Sequence, residues 1–507
     1  LGNDPSGTTD TASNNVAVGV TALDAITTGD DNVAIGQGAL SANTTGTRNT
    51  AVGWAAAPAV ISANDNTAMG WSALYATTGA ENTAIGSYAM QSNTSGASNT
   101  ALGDHALFAN TTANNNVGIG IDALAANTTG GGNVAVGYQS LDANTIGSSN
   151  IAIGSSALGA LTTAGSNVAV GNGAGAAVTT ATSFTAIGAS AGSSTTTGDR
   201  ITAIGANALD ANTTGASNVA VGDHALGANT TGGGNVAVGR NCLLTCTTGS
   251  DNVAMGAGAL QVHTTGSYNC AFGGAALDAN TTANNNVAVG YGALTSNTTG
   301  NDNVSIGYAT GFGLTSGYNN TLLGRAAGYG VTTGYRNIGL GGDALRANSP
   351  AGNVTTGNDI ACIGDDNLAS LYCVQTSISS SDERDKTDIE NFDYGLDFIK
   401  QMRPVSYRWD RRSWYTGPHP TRADKLNVVP DGTKKREKLY IGFLAQEVQE
   451  IEQSIGYSNN KDDELVVNTN EDDTALGIKY ELIVPILVNA VKQLSEEVES
   501  LKAQLGS

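Results

Sequence analysis

A 17-residue repeat constrains this chain more than any other feature. N-V-A-V-G at Asn15 returns as N-V-A-I-G at Asn32 and N-T-A-V-G at Asn49, and about 21 copies follow, ending near Gly364. The step from Asn66 to Asn82 is 16 residues, and one late step carries a six-residue insertion around 349–354. The consensus is N-V-A-V-G-x-x-A-L-x-A-N-T-T-G-x-x. A unit this short cannot bury its own apolar face, so neighbouring units must stack to make a core.

Within a unit, the β-branched run with period-2 alternation reads as a strand. The Gly after it and the N-T-T-G cluster read as turns, because Gly and Asn tolerate positive φ. Seventeen residues leave no room for a long helix beside two turns. The predicted class is therefore mainly β. Residues 11–364 form a parallel β-solenoid or β-roll, one coil per repeat, behind a lead-in at 1–10. Strands stacked ~4.8 Å apart over 21 coils give a rod on the order of 100 Å long. The Val/Ile positions and the recurring Leu (Leu23, Leu40, Leu74, Leu107) are expected to fill the coil. The small residue between the Val/Ile pair (Ala17, Ala34, Ala51, or Gly118, Ser305 and Gly339) is expected to face other chains at a threefold axis. Leu322 breaks that rule. Where Gly replaces the Leu (Gly175, Gly192, Gly311, Gly328), the coil is expected to narrow.

Charge limits the partners. Residues 1–380 hold 20 acidic side chains, six Arg and no Lys. Residues 381–507 hold 24 acidic and 17 basic ones, and the whole chain carries −21. Such a field opposes nucleic acid and anionic membranes. No stretch reaches the ~18 apolar residues of a membrane span. The odd set Cys242, Cys246, Cys270, Cys362 and Cys373 has no metal-type C-x-x-C pair and reads as small buried hydrophobes. No cofactor or metal is expected. Leu1 in place of Met points to a processed or partial chain, with attachment to other proteins through residues further upstream.

Several residues in the repeat look like sites and have simpler readings. The N-T-T sequons at Asn43 and Asn110 read as turn chemistry. Asp31, Asp251 and Asp302 recur too irregularly for a calcium ladder. Asp104-His105 and Asp223-His224 lack a third partner for a triad.

Residues 365–380 leave the repeat and read as an extended junction. At 381 the composition changes abruptly, and S-D-E-R-D-K places Ser381 five residues before Lys386. A serine hydroxyl needs a base near neutral pH, and a desolvated lysine can serve. Arg384 would lower the lysine pKa, whereas Asp382 and Asp385 push the other way. Downstream, 394–403 has helical periodicity that Pro404 ends. Residues 405–410 read as a strand, 411–440 as a basic loop or hairpin, and 442–452 as an amphipathic helix. In the tail, Leu487, Val491, Leu494, Val498, Leu501 and Leu505 step 4-3-4-3-4, a heptad seam over 485–507.

Three ordered blocks carry a family resemblance. They are S-D-x-R-x-K with T-D-I (Ser381 to Ile389), R-P-V-x-Y-x-W (Arg403 to Trp409) and G-F-x-A-Q-E-V (Gly442 to Val448). Together with the terminal seam they resemble the intramolecular chaperone domain of phage tailspikes and tail fibres, the endosialidase-type chaperone or peptidase S74. The resemblance implies that 381–507 is a small α+β domain that trimerises through its coiled coil and guides folding of the fibre. It also implies self-cleavage between Ser380 and Ser381. Ser381 would be the nucleophile, Lys386 the base, and Asp382, Arg384, Gln446 and Glu447 the supporting motif. The repeat also resembles the head repeats of trimeric autotransporter adhesins, which are usually shorter.

The expected function is a structural, trimeric phage tail fibre or host-adhesion rod with a self-removing assembly domain. It would be made in the host cytoplasm, carried on the virion tail, and able to meet a glycan or protein receptor. Two alternatives stay open: a polysaccharide-degrading or glycan-binding tailspike with the same chaperone, and a bacterial trimeric surface adhesin. Few aromatics other than Trp54 and Trp71 are available for a glycan groove.

Overall fold

The computed structural model describes residues 11–365, 367–368, 387, 389–416, 421–457, 463–469 and 473–506. It divides into two compact units, Leu1–Asn303 and Val304–Ser507. In the first, each repeat is one coil carrying one three-residue strand, from β1 (Val16–Val18) to β17 (Val287–Val289). Successive strands pair in parallel and in register: Val33 with Thr50, Ala34 with Ala51, Ile35 with Val52. The 16-residue step keeps this register, Thr67 opposite Thr83 and Ala68 opposite Ala84, so the missing residue is absorbed in the turns.

Two columns of buried Asn fix the coil. At the first repeat position, the Asn49 amide nitrogen donates to Asn32 Oδ1 and to the Ala63 carbonyl, at 3.2 and 2.9 Å. The Asn49 backbone N–H donates to the same Asn32 oxygen at 2.9 Å. At the N-T-T position, Asn110 Nδ2 donates to Asn93 Oδ1, and Asn127 Nδ2 to Asn110 Oδ1, at 2.8 and 3.1 Å. A buried amide without partners is costly, so each rung favours one register over any slipped one. Asn43 and Asn110 are fully buried, which agrees with turn chemistry and leaves neither amide accessible as a glycan acceptor in the folded coil.

The Asn columns also settle which way the strand faces, and they reverse the expectation. Alternation puts the first and third positions on one side. Ala34, Ala51 and Ala220 are fully buried inside the coil with the Asn, whereas Ile35 and Met69 are 40% and 45% exposed. The small middle residue therefore packs inside its own coil and faces no axis. Space there is tight: a Cβ added at Gly118 would lie 3.2 Å from Leu107 Cγ. The recurring Leu is inside as expected, with Leu40, Leu74 and Leu107 fully buried.

At Gly175, Gly192 and Gly328, three of the four positions where Gly replaces the Leu, another side chain fills the space in place of the expected narrowing. Phe184, fully buried, fills the space from a neighbouring position. Cβ atoms added at Gly175 and Gly192 would lie 2.7 and 2.6 Å from its ring. In the second unit, Leu322 does the same for Gly328, whose added Cβ would lie 2.7 Å from Leu322 Cδ1. Leu322 is thus a volume exchange, large at the third position and small at the ninth.

The Gly that ends each strand has no substitute. Gly103 has φ +142°, and a Cβ there would lie 2.4 Å from the Gly120 carbonyl oxygen. Only Gly reaches that backbone region without strain of ~1–3 kcal/mol, before the clash is counted. Gly103→Ala should open the ladder locally, giving new limited-proteolysis cuts in the coils flanking residue 103. A digestion pattern matching wild type would contradict this.

The second unit begins with four more coils, β18 (Val304–Ile306) to β21 (Ala361–Ile363). Ile338 pairs with Ala361, so the six-residue insertion leaves the ladder intact. Beyond them lies a small α/β region. It contains α1 (Leu396–Gln401), β22 (Val405–Tyr407), α2 (Arg422–Asn427), β23 (Tyr440–Gly442), α3 (Ala445–Ser454), β24 (Val467–Thr469), β25 (Leu476–Ile478) and α4 (Ile483–Leu505). β22 pairs antiparallel with β23, and β24 with β25. Its core is Phe398, Met402, Val448, Ile451, Val466, Val467, Ile483 and Ile486. The expected helix after Tyr394 and the amphipathic helix after Gly442 are present but shorter, and the 411–440 stretch carries α2 inside its loop.

Candidate self-processing and assembly site

Ser380, Ser381, Asp382, Arg384 and Lys386 lie outside the described residues. The described chain that follows is anchored from Phe392 onward, and the anchor is α4. Asn489 Nδ2 donates to the carbonyls of Phe392 and Tyr394. Gln493 Oε1 accepts from the Leu396 N–H at 2.6 Å, and its Nε2 donates to the Asp393 carbonyl at 3.3 Å. Gly395 lies flat against the helix, where an added Cβ would sit 2.8 Å from the Ala490 nitrogen. Asn489 and Gln493 stand four residues apart, so they share one helix face.

Arg403 and Glu447, from the second and third sequence blocks, form an ion pair between the end of α1 and the start of α3. Gln446 is exposed beside it. Gly442 packs under Tyr480, whose hydroxyl accepts from the Phe443 N–H at 3.4 Å. The buried Glu452 carboxylate accepts the N–H groups of Val466 and Val467 at 2.5 and 2.9 Å, tying α3 to β24.

α4 presents two apolar stripes. Ile483, Ile486 and Ala490 are buried against their own domain. The heptad seam is not: Leu487, Val491, Leu494, Val498, Leu501 and Leu505 are 40–87% exposed. At its base, Leu487 and Ile483 line a groove of about 260 Å³ with Ile399, Met402, Pro404, Phe443 and Tyr480. One helix packed on its own domain would use a single stripe, and here the second is left open.

The second unit thus contains, in order, the last coils, the border at 381 and a packed α/β region with an open seam. Residues 381–457 match the family model of peptidase S74, the chaperone of endosialidase. No curated protein and no solved structure matches the chain. Within the S74 match lie the Arg403–Glu447 pair, α1 and α3, while α4 follows it.

The remaining candidates in the repeat behave as small structural groups. His105 and His224 each pair with the preceding Asp at the surface, at 2.9 and 3.0 Å. Their other neighbours are structural: the Tyr88 and Phe108 rings beside His105, and the Asn207 amide 3.4 Å from His224 Nε2. Cys242, Cys246 and Cys362 are buried and Cys270 is half-buried. Cys373 lies outside the described residues. Burial pushes the Cys242 and Cys246 thiols up to about 12 and about 11, which keeps them protonated and unreactive. Among the described residues no His/Cys/Asp/Glu group could hold a metal ion, and no helix is long and apolar enough to cross a membrane.

Cys246 and His263 interrupt the second Asn column, and His263 brings a pH dependence. It is fully buried, with Nε2 2.7 Å from the Gly266 carbonyl oxygen and Nδ1 3.3 Å from Asn280 Oδ1. Burial lowers its pKa below the ordinary 6.5. The unfolded chain therefore takes up a proton below about pH 6.5 that the folded coil refuses, and stability falls as pH drops from there. Hydrogen exchange in coils 252–280 should speed up between pH 7.5 and 5 beyond the intrinsic pH effect. His263→Asn, which restores the Asn rung, should remove that excess. An equal excess in both proteins would contradict the assignment.

Proposed function

We propose that this chain is the subunit of a trimeric phage tail fibre whose C-terminal domain assembles three copies and then removes itself. The observation that carries the reading is the position of the S74 match, which begins at Ser381, where the repeat composition ends. Lys386, unprotonated, takes the Ser381 hydroxyl proton. The hydroxyl oxygen attacks the Ser380 carbonyl carbon, the 380–381 C–N bond breaks, and Lys386 returns the proton to the freed amine. Water then hydrolyses the resulting ester.

The assembly logic is kinetic. Three parallel solenoids must start in one register, and non-local pairing is slow. An α4 trimer raises the local concentration of the last coils and aligns them. Cleavage then removes the route back and leaves a kinetically stable fibre on the virion tail. Contact with a host surface by the same fibre is the companion reading. It is favoured by the exposed stack of Trp54 on Trp71, ring centroids 4.3 Å apart, an aromatic surface of the kind that packs on sugar rings.

Light scattering of uncut Ser381→Ala protein tests the assembly. The expected mass is three times the 50.9 kDa chain. A monomer or dimer would refute the trimer.

A further inference from the structure

The outward face of the first unit's ladder is uncharged along its whole length, with one wholly apolar column and one of Val, Ile and Thr with a single Cys. The strand position after the Asn holds Val, Ile, Thr or, once, Cys270 in all seventeen strands from β1 to β17. The position before the Gly holds only Val, Ile, Leu, Met or Phe, from Val18 to Val289. Both point away from the coil interior, and Ile35, Leu102, Ile153 and Ile187 are 40–44% exposed. Charge is kept elsewhere: Asp104, Asp122, Asp142 and Asp251 occupy other outward positions of the same coils. A soluble surface has no reason to hold two uncharged columns in strict register, and exposed apolar patches beyond a few hundred Å² mark interaction sites.

We propose that this two-column stripe is the surface through which the first unit packs against two further copies of the chain around a common axis. The proposal rests on the trimer reading above and names the face that the trimer uses. Seventeen coils expose on the order of 1,500 Å² of such side chain per copy, or about 750 Å² toward each of two partners, close to the ~800 Å² per partner of a standard-size interface. Period argues for identical copies. The ridges recur once per coil, every ~4.8 Å, and only a surface with the same rise can interlock with them over the full length. Rotational symmetry brings the same stripe of each copy to the axis, where like meets like without charge. The stripe supplies the burial, and the in-register ladder of the coils holds its spacing.

Cys270, native to the stripe, provides the test. Full-length Ser381→Ala, Cys373→Ser protein is spin-labelled at Cys270. A second sample carries the label at Thr282→Cys, on the Thr turn of the same coil, with Cys270→Val matching the commonest residue there. Inter-copy distances are read by electron spin resonance beside the light-scattering mass of each sample. The expected result is a three-chain mass with Cys270 labels closer together than Thr282 labels. A three-chain mass with that order reversed overturns the stripe and leaves the trimer standing. If the Cys270 label itself blocks assembly while the Thr282 label does not, the stripe is supported. A one-chain mass in unlabelled protein refutes the trimer and the interface with it.

Discussion

Replacing both Leu494 and Leu501 with Asp should abolish assembly and leave the repeat region insoluble. The two side chains sit 49% and 56% exposed on α4 in a single chain, so the fold of the domain does not depend on them. Three copies would bury six leucines, worth ~1.5–3 kcal/mol each, or on the order of 10 kcal/mol per assembly. Six carboxylates in their place reverse the sign, and the trimer should weaken by many orders of magnitude. The isolated mutant domain should still show α-helix by circular dichroism, because Ile483, Ile486 and Ala490 hold α4 to its own core. Soluble mutant protein of three-chain mass would show that the seam does not drive assembly.

Ser381→Ala should stop processing altogether, and Lys386→Ala should slow it by several orders of magnitude. The first removes the attacking oxygen. The second removes the base and leaves a hydroxyl that is a poor nucleophile near neutral pH. The proposed assembly route runs through α4 and the coils, which neither substitution touches, so both variants should still reach the three-chain state. Gel analysis over days of incubation measures the residual cut. Normal cleavage in Ser381→Ala would overturn the nucleophile, and a wild-type rate in Lys386→Ala would overturn the dyad.

The solenoid was legible in the sequence because its period is strict. The number of coils, their register and the buried Leu40 all follow from counting. The facing of the strand was misread because Val and Ile are the most hydrophobic residues of the motif. Asn32 and Ala34 share a face with each other, and the need to partner a buried amide outweighs the burial of one more aliphatic side chain. The pairing of Phe184 with Gly175 and Gly192 is invisible in a linear reading, since it reaches into the preceding coil for the first and across its own coil for the second. Left-handed backbone at non-glycine residues was also unforeseen: His105, Leu107 and Asn115 have φ of 55°, 53° and 62°. Bonds between coils sustain that strain, as in Leu107 N–H to the Ala123 carbonyl at 2.9 Å.

In the C-terminal region, three motif blocks pointed to the domain that the family match covers, while the proposed Ser381 and Lys386 pair lies outside the described residues. The anchor formed by Asn489 and Gln493 was missed because its partners lie 95–100 residues away. The available signal was two amides four residues apart on the tail helix, and nothing local says what they hold.

The most direct measurement is the intact mass, under denaturing conditions, of protein expressed from the unaltered sequence. Self-removal predicts two species, residues 1–380 and 381–507, whose masses add up to the 50.9 kDa chain plus one water. A single stable species at 50.9 kDa, or a cut at any other bond, would contradict it.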